Sequence, residues 1–263
     1  MPTKFDNPAF VDADFPRWSE YTRGDNGAPA FHRFAAFEDT VPAIPKADWP
    51  DLAAKIEAEG GGAELLVTRI MNQRNEGSCV SFACSQAMQV VLARQVGRDA
   101  VTQLSPISLY KRIGSSPSSG AMVSDGLEEM ASRGILPLDT PENRAKFGNG
   151  IMPETGFHTP FPPDWQVTAA KFKAVEWLIV RSVDGLVTAL LNQHPVVVGR
   201  SGHSICYTTP VYKDGQLYAQ YVNSWGSWGF GDAGFPDGFG LDSERMIRSA
   251  SNWAFALRSV VVS

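Results

Sequence analysis

Cysteine is scarce in this chain. Three thiols, Cys79, Cys84 and Cys206, are spread over 263 residues. So few, and in odd number, they cannot form the disulfide framework of a small secreted domain, and a reducing compartment is the simplest setting. No apolar run approaches the roughly 20 residues of a membrane span, so no membrane association is expected. The opening residues Met1-Pro2-Thr3-Lys4-Phe5-Asp6-Asn7 lack the apolar core of a secretory signal peptide. No basic run is present and the formal charge is -5, which argues against a nucleic-acid partner. The triplet Gly60-Gly61-Gly62 has neither the lysine nor the following helix of a phosphate loop, and reads as a flexible stop after a helix. No internal repeat is visible.

What is present suits a globular protein. Apolar residues make up 43% and charged residues 19% of the chain, enough for a sizeable core. The length allows one large domain or two lobes around a shared cleft. Residues 1–40 are rich in aromatic, Pro, Asp and Gly residues without periodicity. They read as an extended arm lying on a surface of this chain or of a protein partner. Helices are expected from Asp48 to the glycine triplet, with Asp48 as cap and Leu52, Ala53 and Ile56 on one face, and from Ser78 to Val96, with Ser78 as cap and Gly97 as stop. Further helices are expected over 106–113, with Pro106 in the first turn, and over 126–133, capped by Asp125. Glu64 to Met71 reads as a short extended run, and 136–165, with six prolines, as loop. Beyond it the texture turns to β: 167–180, 196–198, 204–211, 216–223, 234–241 and 254–262, interrupted by a helix over 184–193. Lys213-Asp214-Gly215 is a hairpin turn. Helices first and antiparallel strands later make the fold class α+β, with a mainly helical lobe over 41–165 and a mainly β lobe over 166–263.

The chemistry centres on Cys79, at the first turn of the 78–96 helix. An isolated cysteine is more often an inert core residue. A helix N-terminus, however, presents unpaired N–H groups and partial positive charge, which favour a thiolate and can hold an oxyanion. A nucleophilic thiol needs a base and a group that orients the base. Of the four histidines, His32 lies in the arm, His158 in a proline-rich loop, and His194 at a helix end where it caps carbonyls. His203 opens an apolar strand, and the hairpin that follows sets Asn223 beside it. An amide orients an imidazole without adding charge.

Together these blocks resemble the papain-like cysteine peptidases. The resemblance is carried by Gln73, Gly77-Ser78-Cys79, Phe82-Ala83, Leu104-Ser105, the stretch from Asp184 to Val196, His203, and Asn223-Ser224-Trp225-Gly226. It covers about 41–263 and is greatest to the bacterial and phage members. It implies a two-lobed fold, a helical lobe followed by an antiparallel β-barrel-like lobe, with the active site in the cleft between them. It implies Cys79 as nucleophile, His203 as base and then acid, and Asn223 as its orienter, shielded by Trp225. The Gln73 side-chain amide and the Cys79 N–H would form the oxyanion hole, and Ser201 and Gly202 would line the pocket for the side chain preceding the scissile residue. Peptides or proteins would be the substrates, with neither metal nor cofactor required. A cytoplasmic or virion-associated protein fits, as does a papain-like domain kept as a structural subunit of a phage particle, or an acyl transferase using the same groups.

Four departures from the family stand out. Glu76 replaces the cysteine that normally precedes the nucleophile by three residues, and 114–120 contains no cysteine to bridge to it. Glu76 is expected to oppose thiolate formation, with Arg74 as an offsetting charge. Val80 replaces the usual aromatic residue, and Trp228 comes one residue early. Residues 1–40 are short for an inhibitory pro-segment, and its helical motif is missing.

Overall fold

A computed structural model of the protein describes residues 35–200, 202–226, 238–250 and 254–261. The remainder of the expected arm, with His32, lies outside the described residues, as do Ser201 and Trp228. In chain order the elements are α1 (Phe37–Thr40), α2 (Trp49–Ala58), α3 (Cys79–Val96), α4 (Pro106–Ile113), α5 (Val123–Ser132), α6 (Pro141–Phe147) and α7 (Trp165–Ala169). Then follow β1 (Ala174–Val180), α8 (Val183–Leu191), β2 (Val196–Arg200), β3 (His203–Lys213), β4 (Gln216–Val222), β5 (Phe239–Ser243), α9 (Glu244–Ala250) and β6 (Ala254–Val260). The strands form one antiparallel sheet in the order β1-β6-β2-β3-β4-β5. The fold is α+β as expected, but among the described residues the sheet is open, with β1 and β5 as its outermost strands. The β-barrel-like description is therefore corrected to an open six-stranded sheet.

Strand alternation gives the sheet two apolar faces. Val197, Cys206, Val222, Phe255 and Leu257 pack with α3, α4 and α5. Val196, Val198, Ile205, Tyr207 and Tyr221 pack with Phe37 of α1, Trp49 of α2, Leu186 and Leu190 of α8, and Ile247 of α9. Helix α3 is the axis of the first core. All fifteen residues from Cys79 to Ala93 are buried, which the small side chains Ala83, Cys84, Ser85 and Ala87 permit by letting neighbours approach on every side. Gly97, at φ 90°, ends the helix.

Several local expectations need correction. The Asp48 and Ser78 side chains make no cap hydrogen bond, although each stands at its helix start. The glycine triplet is not a flexible stop. Gly61 N–H returns to the Ile56 carbonyl at 2.9 Å, and Gly62 N–H donates to the Glu64 carboxylate at 2.9 Å. The extended run over 64–71 instead begins as a 3-10 turn, Ala63–Leu66. Helix α5 starts at Val123, so Asp125 lies in its first turn and does not cap it. Within the proline-rich stretch, the Thr140 hydroxyl accepts from Asn143 N–H and starts α6, with Pro141 in the first turn. The β texture over 167–180 divides into α7 and β1. Trp165, stacked on Phe161 at 4.7 Å, anchors that helix against local strand propensity. Helix α9 went unanticipated.

Two buried groups set stability. Arg200 of β2 and Asp242 of β5 form an ion pair at 2.8 Å with both side chains buried, and Tyr207 of β3 donates to Asp242 at 2.7 Å. Arg200→Met removes the ion-pair partner of a buried carboxylate and is expected to cost about 3–5 kcal/mol. Urea unfolding measures it, and a loss below about 1 kcal/mol would contradict this account. The His194 ring does not cap α8; its backbone N–H does, donating to the Ala189 carbonyl at 2.9 Å. Burial, reinforced by Arg94 and Arg258, lowers the His194 pKa from 6.5 to about 4. Between these values the unfolded chain binds the extra proton, so stability falls as pH drops from 6.5 toward 4. His194→Gln should flatten that stretch of the stability–pH curve, whereas an unchanged slope would show that other groups set it.

Candidate active site

Two segments about 150 residues apart are stitched together just ahead of α3. Asn72 bridges to Trp225, Gly226 N–H donates to the Met71 carbonyl at 2.9 Å, and Gln73 N–H donates to the Ser224 carbonyl at 2.7 Å. The Ser224 hydroxyl returns a bond to Gln73 Oε1 at 2.6 Å, while Gln73 Nε2 donates to the Glu76 carbonyl at 2.7 Å. The carboxamide is thus pinned at both ends. Cys79 is buried at the first residue of α3, where backbone N–H groups lack intrahelical partners. A void of only about 10 Å³ separates α3, at Phe82, Ala83 and Gln86, from Ser204, Val222, Asn223 and Ser224.

His203 and Asn223 meet through an irregularity in the β3–β4 hairpin. From the two-residue turn at Asp214 and Gly215, both in the left-handed region, the register runs from Lys213↔Gln216 to Thr209↔Gln220. It then shifts by one, to Tyr207↔Tyr221 and Cys206↔Val222. Without that bulge Asn223 would oppose Cys206, and His203 would point to the other side of the pair. With it they share a side. Their side chains join at 2.8 Å, His203 Nε2 to Asn223 Oδ1. The same Oδ1 accepts Ser224 N–H at 2.7 Å. Because a backbone N–H can only donate, that Asn223 atom is the oxygen. His203 Nε2 must then carry the proton, and Nδ1 is the basic nitrogen of the neutral ring. Trp225 stacks on the imidazole with centroids 4.3 Å apart and planes at 29°. His203, Asn223 and Trp225 are all buried. Gly202, at φ 78° in the turn joining β2 to β3, is half-buried.

The turn before Cys79 is held without a cross-link, and all three cysteines are free thiols. Glu76 does not face the thiol as a bare charge. Its carboxylate accepts from Phe157 N–H at 2.8 Å and Gly156 N–H at 3.1 Å. Arg74 is exposed and makes no ion pair with it. Gly77 N–H donates to the Pro117 carbonyl at 2.8 Å, and a Cβ on Gly77 would lie 2.9 Å from Gly120 N. Tyr110 organises that loop: its hydroxyl bonds the Ser116 carbonyl at 2.9 Å and accepts Gly120 N–H at 3.1 Å. Burial raises the phenol pKa, Cys79 and Glu76 add to the rise, and the bonds from Ser119 and Gly120 oppose it, so the hydroxyl keeps its proton. The sequence reading did not single out Ser224 or Tyr110. Ser224 lay in view inside Asn223-Ser224-Trp225-Gly226, whereas Tyr110 carried no signal beyond an apolar helix face. Of the remaining histidines, His158 sits edge-on to Phe157, and His194 packs against Phe37, apart from this group.

The fold recurs in solved structures. The chain aligns with procathepsin L2 proteinase from the larval midgut of Tenebrio molitor at TM-score 0.63 and 16% identity, over 97% of this chain and 82% of that one. Procathepsin L 3 of the same source gives TM-score 0.59 and 17% identity, over 90% and 76%. Xylellain, a cysteine protease from Xylella fastidiosa, gives TM-score 0.58 and 16% identity, over 91% and 96%. The chain has a papain-like fold. No protein-family model and no curated protein matches the sequence. The papain-like fold is therefore established by shape, and the chemistry has to be argued from the side chains.

Tyr110→Phe removes the acceptor of the buried Gly120 N–H. The expected cost is about 1–3 kcal/mol, with faster hydrogen exchange at Gly120. Unchanged exchange there would mean that the hydroxyl does not hold the loop.

Proposed function

We propose that this protein is a thiol-dependent peptidase acting through Cys79. The observation that supports it most is the locked His203 imidazole. Asn223 Oδ1, itself fixed by Ser224 N–H, holds the Nε2 proton and leaves Nδ1 as the base. A purely structural domain has no need of a buried imidazole with a defined tautomer, covered by Trp225.

In this reading His203 Nδ1 takes the Cys79 proton, giving a thiolate–imidazolium pair. The sulfur attacks the scissile carbonyl carbon, and the carbonyl oxygen becomes an oxyanion. The Cys79 backbone N–H and the Gln73 side-chain amide donate to it. The C–N bond then breaks and His203 protonates the leaving amine, which leaves a thioester on Cys79. Water, deprotonated by His203, attacks the thioester and releases the acid and the thiol. Asn223 turns the ring and Trp225 keeps water from the Nε2–Oδ1 bond. By the resemblance, Ser201 and Gly202 would line the pocket for the residue before the scissile one, where the missing side chain of Gly202 would leave an uncharged wall that favours an apolar residue. Three free thiols suit a reducing compartment, and the part of the expected arm before α1 is proposed to serve a protein partner, since Phe37 of α1 packs in this chain's own core.

Alkylation of the native protein by an epoxysuccinyl inhibitor, followed by peptide mapping, tests the proposal. Modification should be fast, confined to Cys79 and lost in His203→Ala. Cys206 should stay unlabelled until unfolding, because burial pushes its thiol pKa up. Gln73→Ala should lower kcat about 10²–10³-fold. Labelling of Cys79 at the rate of an ordinary thiol would overturn the proposal.

A further inference from the structure

A second constellation lies at the turn end of β3, where α2 and the glycine triplet cross it. A cavity of about 160 Å³ opens there. Its walls are apolar along one side, from Ala53 and Ile56 of α2 to Val211 of β3. Its polar groups are Glu57, Glu64, Thr209 and Gln220. A cavity of roughly 150 Å³ holds a molecule of benzene size, so a short alkyl chain fits.

The charge balance of this cavity is incomplete. Glu64 is 8% exposed, and no cation pairs with it or with Glu57 among the described residues. Glu64 Oε2 accepts Gly62 N–H at 2.9 Å and the Thr209 hydroxyl. Oε1 receives no donor from the described residues. Gln220 is 1% exposed, and its side-chain oxygen is buried without a hydrogen-bond partner. A buried carboxylate is costly unless paired, and here Glu64 Oε1 and Gln220 Oε1 each lack a donor among the described residues. The glycines belong to the same construction. A Cβ on Gly61 would lie 2.5 Å from Glu64 Oε1, and one on Gly62 would lie 2.9 Å from Thr209 Oγ1. Only a bare backbone lets the Glu64 carboxylate sit this close to the turn. Glu57 and Gly60 are exposed at the rim, which gives a ligand a way in.

We propose that this cavity binds a primary alkylammonium group, with the charged head between Glu64 and Gln220 and the aliphatic stem along Ala53, Ile56 and Val211. A free amine and a lysine side chain share this chemistry. Thr209 to Val211 lie six to eight residues along β3 from His203, on the order of 20–25 Å, so the site is separate from the proposed catalytic group and its occupancy is read without any activity assay.

The test is a titration of the full chain, followed by ¹⁵N–¹H spectra, with n-butylamine hydrochloride, with neutral n-butanol, and with Nα-acetyl-lysine methylamide. Butylammonium should shift the amides of Gly61, Gly62 and Thr209 saturably, and butanol should not. Glu64→Gln should weaken binding about tenfold, the loss of one charge-assisted contact. Saturable shifts with the lysine amide assign the pocket to polypeptide lysines, and their absence beside butylamine binding assigns it to free amines. No saturable shift with either amine, or an equal response to butanol in the unmodified protein, would overturn the proposal even if Glu64→Gln fails to fold.

Discussion

Ser224 joins the two halves of the candidate site. Its carbonyl accepts the Gln73 N–H, its hydroxyl fixes the Gln73 carboxamide, and its N–H fixes the Asn223 oxygen. One residue therefore orients the group proposed to stabilise the oxyanion and, through Asn223, the ring proposed as base. Each bond is individually modest, about 0.5–1.5 kcal/mol. Their value lies in coupling, because displacing the 224–226 segment disturbs both groups together. The buried seam between α3 and the sheet keeps this coupling dry, and in such surroundings hydrogen bonds are electrostatically stronger and their loss more costly.

The turn ahead of Cys79 shows how polar contacts can do the work of a cross-link. A disulfide would restrain the unfolded chain. Here the restraint acts only in the folded state, through the Glu76 carboxylate on Phe157 and Gly156, Gly77 on Pro117, and the Tyr110 hydroxyl on the 116–120 loop. Two backbone N–H groups donate to Glu76 Oε1, which offsets part of its charge, while Oε2 is buried without a hydrogen-bond partner.

Much of this was legible from residue order. The helix stops, Pro106, the Asp214-Gly215 turn and the α+β division follow from local chemistry that tertiary contacts do not override. The grouping of Gln73, His203 and Asn223 was implied by the resemblance, and hydrogen bonds through Ser224 and Asn223 link the three, while their roles are the proposal. What stayed hidden depends on partners distant in sequence. Trp165 lies in a helix because Phe161 and Arg112 receive its ring. Glu76 is held in place because N–H groups of a loop eighty residues later donate to its carboxylate. The glycine triplet read as slack because Thr209, which completes its carboxylate nest, lies on the other side of the chain. The sheet read as barrel-like because edge closure leaves no mark in strand texture.

The bulge between Tyr207 and Thr209 was also invisible, yet it decides the geometry of the pair. Side chains alternate along a strand with period two, so a regular hairpin from Lys213↔Gln216 would have set His203 and Asn223 on opposite sides. One extra residue reverses the parity of everything beyond it. It also leaves Val211 and Cys206 on the same sheet face, both packed in the α3 core, though they are an odd number of residues apart. The core thus constrains the bulge independently of the site. The apolar pattern of β3 can be satisfied on both flanks only if the register slips near Thr208, and once it slips, His203 is carried to the side where Asn223 waits. Packing of the β3 core and orientation of the imidazole are, in this fold, one constraint.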